Sequence, residues 1–337
     1  MTTKSTDKPV LVIPNLNGGD DLLAAVASLL KQSVKPHVIV VDNASTDGSA
    51  EKAQQKFPEI ELIKHTENKG YAGGVNAGLR QAIQIGATYA GVFNDDATAQ
   101  PGWLEKLVQT LDKNPKLGAA TGKVLREDGK ILDSTSDYLT SWGLPYPRGR
   151  GEEDKGQYDH QTDIVSPSGA ATLYRVDALK ETGLFDEDFF AYYEDVDLGL
   201  RLQLNGWKAA YVPEAWVHHA IGMTSGKMKG FTTYQTMKNL PLLTYKNIPE
   251  PYLKHVQRRL NVALTLFLLR SITRGHLKYA LKGLKDARRL KDPKQRQKIQ
   301  DNKKISDQEF WALIVKDLPP NASALRKLRS LKWRILR

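Results

Sequence analysis

Cysteine is absent from this chain. Disulfides, zinc–thiolate sites and thiol catalysis are therefore excluded, and any metal must be held by carboxylates or imidazoles. Long apolar runs are missing too. The most apolar one, Val262-Ala263-Leu264-Thr265-Leu266-Phe267-Leu268-Leu269, has 8 residues, far short of the ~20 that span a bilayer. The first nine residues are polar and do not read as a secretory signal, so a cytoplasmic enzyme is expected. Acidic residues are scarce in the last third. Residues 221–337 carry 27 Lys and Arg against 7 Asp and Glu, a net of +20 in a chain whose total is +11, so residues 1–220 carry −9. An acidic body with a basic tail suggests a tail that faces anions, as on nucleic acid or an anionic membrane surface, although a solvated helical surface has the same composition.

What is present is an ordinary globular balance, 40% hydrophobic and 26% charged over 337 residues, enough for one large α/β domain or two smaller ones. Short, partly β-branched runs at 10–13, 38–41, 60–63 and 89–93 read as buried strands. Between them 20–31, 46–57 and 72–85 read as helices, with Asp47 or Ser45 placed to cap the second. This alternation predicts a mostly parallel sheet flanked by helices, with ligands at the carboxyl ends of its strands. Residues 145–160, rich in Gly, Pro and charge, read as a loop insertion, with order resuming over 164–174. Residues 196–204 alternate with the period of a strand. The i,i+4 spacing of Asp197 and Arg201 and the stop at Asn205-Gly206 nevertheless favour a helix. We place a boundary near residue 222, between a catalytic domain (1–222) and a basic helical region (223–337).

Three polar motifs follow the strands, and two more lie toward the end of the body. The second strand runs into Asp42-Asn43-Ala44-Ser45-Thr46-Asp47-Gly48, where a carboxylate can accept hydrogen bonds from a base or ribose, or form an Asx turn. Asn68-Lys69-Gly70-Tyr71-Ala72-Gly73-Gly74-Val75-Asn76-Ala77-Gly78 enters a helix. Its glycines permit close backbone approach and its first amides suit an anion, but a tight strand–helix packing turn would look the same. The spacing matches neither the dinucleotide fingerprint nor the P-loop. The fourth strand ends in Asn94-Asp95-Asp96, adjacent acids that a hard divalent cation would neutralise, or a plain loop pair. Glu194-Asp195 follows the aromatic cluster Phe189-Phe190-Ala191-Tyr192-Tyr193, surroundings that raise a carboxylate's pKa and suit a general base. His218-His219 ends an extended stretch in which neighbouring side chains point to opposite faces, so one of the two can face a metal.

Over residues 9–222 these motifs, in this order, resemble family 2 of the inverting glycosyltransferases, with the GT-A fold. Among its members the chain looks most like rhamnosyltransferases and galactofuranosyl-type enzymes of bacterial surface polysaccharide synthesis. The resemblance implies an α/β GT-A domain with a helical C-terminal extension. It implies that Asp42, Asn43 and the backbone near Pro14 and Asn15 hold the base, and that Lys69, Gly70 and Asn76 lie along the nucleotide and its diphosphate. Asn94-Asp95-Asp96 occupies the place of the Asp-x-Asp motif, with Asp96 the metal carboxylate and Asn94 and Asp95 toward the nucleotide. Asp195, beside Glu194, matches the catalytic base, and His219 the metal-ligating histidine. Asn94 stands where many relatives carry Asp, which removes one charge from the metal site. The implied cofactor is a divalent cation, Mg or Mn. The implied partners are a nucleotide-diphospho-sugar donor and a glycan or lipid-linked acceptor, not nucleic acid. The tail, including 262–269 and 330–337, would contact an anionic membrane at its inner face or join subunits in a homo-oligomer.

Overall fold

β-Branched runs that are apolar on both faces bury themselves between helices, and the first hundred residues do so in strict alternation. In the computed structural model, which describes residues 8–220, 228–320 and 322, they form β1 (Val10–Asn15), α1 (Gly19–Leu30), β2 (His37–Asp42), α2 (Ser49–Lys56), β3 (Glu61–Lys64), α3 (Gly70–Gln84) and β4 (Tyr89–Phe93). These strands pair in parallel in the order β3-β2-β1-β4. Glycine sets how closely α3 lies on them. A Cβ at Gly78 would come within 2.4 Å of Val12, and one at Gly74 within 2.5 Å of Asn43.

The sheet continues through strands with weaker sequence signals. In chain order come β5 (Ala97–Ala99), α4 (Trp103–Lys113), β6 (Leu117–Arg126), β7 (Leu132–Ser134), β8 (Asp137–Leu139), β9 (Pro145–Pro147), β10 (Asp163–Ile164), β11 (Ala171–Arg175), α5 (Val176–Thr182), α6 (Glu194–Leu204) and β12 (Lys208–His219). Beyond β4 the order is β11-β6-β12-β10, with β11 antiparallel to both neighbours and β6 parallel to β12. The body is thus a helix-flanked α/β sheet, parallel over its first half and mixed over its second. Strand β5 folds back onto β12, and β7 onto β6.

Two local expectations resolve clearly. Residues 194–204 form a helix whose 196–204 stretch is buried on every side, which is why no amphipathic period shows. The Arg201 guanidinium lies 2.8 Å from Asp197 and donates to the carbonyls of Thr182, Gly183 and Leu184. The cap of α2 differs from expectation: Gly48 (φ 73°) is the N-cap, with no side-chain cap. Asp47 instead accepts from the Ser49 amide and hydroxyl, and Ser45 Oγ accepts from Asn15 and Asn17.

By compactness the chain forms two units, Met1–Asp137 with Pro147–Lys229, and Tyr138–Tyr146 with Gly230–Arg337. The second unit contains α7 (Phe231–Asn247), α8 (Glu250–Thr273), α9 (Leu277–Arg289), α10 (Pro293–Asp301) and α11 (Asp307–Leu313). Side-chain oxygens start two of them: Asp292 accepts from Lys294 at α10, and Ser306 forms a capping box with Glu309 at α11. Among the described residues no helix is long and apolar enough to cross a membrane. Residue 222, where the boundary is expected, and the 330–337 segment lie outside the described residues.

Candidate active site

The carboxyl ends of β1 and β2 are tied by short polar side chains. Asn15, fully buried, donates to Asp42 Oδ1, Ser45 Oγ and Ser49 Oγ, and accepts from the Gly18 amide. Asp42 Oδ1 also accepts from the Ser45 amide, which tightens the turn after β2. Asn43 donates to the Gly70 carbonyl, while its buried Oδ1 has no partner. Pro14 packs in β1 opposite Val41. The start of α3 is already engaged, since the Gly70 amide donates to Asn68 and the Ala72 amide to the Phe190 carbonyl. Gly70, Gly73, Gly74 and Gly78 leave no room for a Cβ, which lets α3 pack closely, and Lys69 pairs with Glu67 on the surface. Asn76 is not brought to this rim as a free group. It is buried, donates to the Phe185 carbonyl and Glu187, accepts from the Phe185 amide, and so braces α3 against the 185–187 turn.

Asn94-Asp95-Asp96 forms the tight reversal between β4 and β5. Asp95 reaches back to β1, where its Oδ2 lies 3.4 Å from the Leu16 amide. Burial first, then the charge of Asp96, raises its pKa to about 7. Because β5 pairs with β12 with Ala97 opposite His219, the reversal sets Asp96 beside that histidine. His219 Nε2 stands 3.0 Å from Asp96 Oδ1 and 3.1 Å from Asn94 Nδ2, and Nδ1 is 3.0 Å from Asp133 Oδ2. Burial would lower the imidazole's pKa, but hydrogen bonds to Asp133 and Asp96 raise it to about 9. Asn94 Oδ1 is buried without a partner. His218 faces away, toward the Arg126 carbonyl.

Glu194 and Asp195 open α6 on the same rim. Asp195 Oδ2 accepts from the Gly169 amide at 3.0 Å, the Gly169 carbonyl accepts from Tyr71 at 2.5 Å, and the Asn94 amide donates to Ala170. One hydrogen-bonded rim thus joins the ends of β1, β4 and α6. Burial raises the Asp195 pKa, with the Val196 and Gly169 amides opposing. Asp137, unflagged by any motif, is pushed well above the usual carboxylate range by burial and then by the charge of Asp195. Backbone strain collects here as well. Asn17, Ala44, Phe190, Tyr192 and Tyr193 all have φ between 57° and 70°, two just beyond β1 and β2 and three directly before Glu194. Such conformations cost of order 1–3 kcal/mol each and persist only where the surrounding structure holds them.

Sequence reasoning missed Asp133, Asp137 and Arg150. The 126–163 stretch that contains them shows no motif around these three residues, and their partners arrive through space. Among the described residues no three His, Asp or Glu side chains converge to hold an ion unaided. The Asp96–His219 pair stands at the rim with the unpartnered Asn94 Oδ1 beside it.

The helix-flanked sheet, parallel and then mixed, with its polar rim at the strand ends, has the GT-A fold. The fold is similar to that of a mannosyltransferase from Pyrobaculum calidifontis solved in complex with GDP-Man and Mn2+ (TM-score 0.51, 17% identity, covering 89% of this chain and 82% of that one). Residues 10–183, just over half of the chain, match Glycosyl transferase family 2, and the chain belongs to that family. It is 29% identical over 249 residues to the N-acetylglucosaminyl-diphospho-decaprenol L-rhamnosyltransferase of Mycobacterium tuberculosis, covering 66% of this chain and 79% of the relative. It is 26% identical over 258 residues to the dTDP-rhamnosyl transferase RfbF of Shigella flexneri, covering 74% and 81%.

Proposed function

We propose that this glycosyltransferase moves L-rhamnose from dTDP-rhamnose, with inversion, to a hydroxyl of a glycan or lipid-linked acceptor in cell-surface polysaccharide synthesis. The observation that carries the chemistry is Asp195, a carboxylate held by the Gly169 amide in surroundings that make it a stronger base than an exposed one. It takes the acceptor hydroxyl's proton as that oxygen attacks the anomeric carbon, and the bond to the nucleoside diphosphate breaks on the opposite face. One base and no protein nucleophile suffice for a single displacement. The names of the two rhamnosyltransferase relatives support the sugar. A UDP-sugar, as for a galactofuranosyl or other hexosyl transferase, is the alternative donor.

Asp96 and His219 would hold a divalent cation, Mg or Mn, together with diphosphate oxygens. A carboxylate, an imidazole and substrate phosphates form a suitable oxygen–nitrogen donor set for such an ion. When bound, the cation supplies charge that stabilises the departing diphosphate. Asp42 and Asn43, with the backbone at Pro14 and Asn15, would receive the base, and Lys69, Gly70, Asn94 and Asp95 would border the nucleotide. The test is a panel of nucleotide sugars given to purified protein, with and without acceptor glycans. The proposal expects acceptor-dependent turnover of dTDP-rhamnose. Turnover of UDP-sugars alone would move the assignment to the alternative, and donor binding without turnover of any kind would indicate a sugar-nucleotide-binding module.

The acceptor side of the proposal includes an anionic membrane surface. On α8, Val262, Leu269 and Ile272 recur on one exposed face at about half exposure, and Leu281 of α9 is 50% exposed. Arg258 and Arg270 of α8, Lys278 and Lys282 of α9, and Arg274 between them are exposed. Apolar side chains rimmed by basic ones suit an interfacial helix at a surface of anionic lipid.

A further inference from the structure

We infer that Asp133 is a positioning residue, which holds His219 through Nδ1 so that Nε2 is presented toward Asp96 and the cation. The inference rests on the metal-site reading above but concerns a residue that no motif marks. An imidazole binds an ion through one nitrogen, and the hydrogen bond made by the other nitrogen decides which one is available. Here the two nitrogens are already assigned by geometry, Nδ1 at 3.0 Å from Asp133 Oδ2 and Nε2 at 3.0 Å from Asp96 Oδ1.

The backbone shows how Asp133 comes to aim at His219. In the β6–β7 ladder Val124 pairs with Ser134 and Leu125 with Leu132, so the register steps over Asp133. Asp133 is therefore the extra residue of a β-bulge, a device that turns a side chain out of the regular alternation. Strand β6 in turn sets Arg126 beside His219 and Leu125 beside His218 on β12. The bulge and the ring thus belong to adjacent strands. The Asp133 side chain is only 3% exposed, so its charge needs a partner as well as the ring. Arg150 supplies it, with Nε 3.0 Å from Asp133 Oδ1, and donates to the Asp133 carbonyl as well. Arg150, Asp133, His219 and Asp96 form one row of paired charges.

The test is Mn2+ titration of the full chain in saturating dTDP, or UDP if the donor panel favours it, read by paramagnetic resonance of the free ion. Asp133→Ala should weaken Mn2+ binding about 10–100-fold, and Asp133→Asn, which keeps an acceptor for Nδ1–H, should recover part of that loss. Nucleotide affinity in EDTA should stay at the wild-type value for both, which a general structural defect would not allow. If the alanine variant does not fold, the near-isosteric asparagine variant carries the test through an intermediate loss. Wild-type Mn2+ affinity in the foldable variants would overturn the inference while leaving the metal site standing. Absence of Mn2+ binding by the wild type would overturn the metal-site reading itself.

Discussion

His219 places each ring nitrogen 3.0 Å from a carboxylate oxygen, whereas His218, its neighbour in the same strand, turns Nδ1 to a backbone carbonyl. Strand alternation sends the two rings to opposite faces, and the pairing of β12 with β5 decides which face holds Asp96. His219→Ala should therefore abolish metal-stimulated transfer, and His218→Ala should leave most of it, measured as activity against added Mg2+ or Mn2+ after EDTA treatment. Equal losses in the two variants, or full wild-type activity in EDTA, would contradict this division. The pH profile tests Asp195. A base works only when deprotonated, and burial favours its protonated form. The kcat/KM of the wild type should thus fall with decreasing pH through a value raised above that of an exposed aspartate. An acidic limb at the exposed value would show that the essential group is an exposed acid.

At the scale of elements, α6 brings Glu194 and Asp195 to the rim, and its seat depends on a missing side chain. A Cβ on Gly199 would lie 2.2 Å from Ser166 Oγ and 2.8 Å from its Cα. Ser166 also donates to the Asp195 carbonyl, so pushing α6 away would disturb the base. Gly199→Ala should cost about 1–3 kcal/mol of stability by overpacking and lower kcat, read by thermal denaturation and steady-state kinetics. An unchanged melting temperature would mean that α6 has room the structure does not show. The same elements explain what could be read from sequence. Strands β1, β2 and β4 were legible because burial on both faces makes them continuous β-branched runs. Strand β6 was not, since Gly118, Ala119, Ala120, Thr121 and Gly122 carry almost no strand signal and owe their conformation to neighbours. The acids and His219 stood out through their motifs. Asp133 did not, because its partner lies 86 residues away and is reached through a bulge.

At the scale of the molecule, charge and apolar exposure coincide in the helical unit. Its exposed Val262, Leu269 and Ile272 should add burial that salt leaves intact, while each basic residue near an anionic surface contributes ~1 kcal/mol at most and is screened. Co-sedimentation should thus show reversible binding to anionic vesicles, weakened but not abolished by salt, and reduced by Leu269→Glu. Equal binding to neutral and anionic vesicles, or none to either, would make these helices a packed extension or subunit interface instead.

The proposed reaction needs one base acting in a single displacement. The most direct measurement is acceptor-dependent release of nucleoside diphosphate by wild type, Asp195→Asn and Glu194→Gln, with donor affinity determined on the same preparations. Asp195→Asn should bind donor as the wild type does and lose about 10²–10⁴-fold in kcat, with Glu194→Gln retaining more activity. Asp195→Asn turning over like wild type while Glu194→Gln is inactive would contradict it.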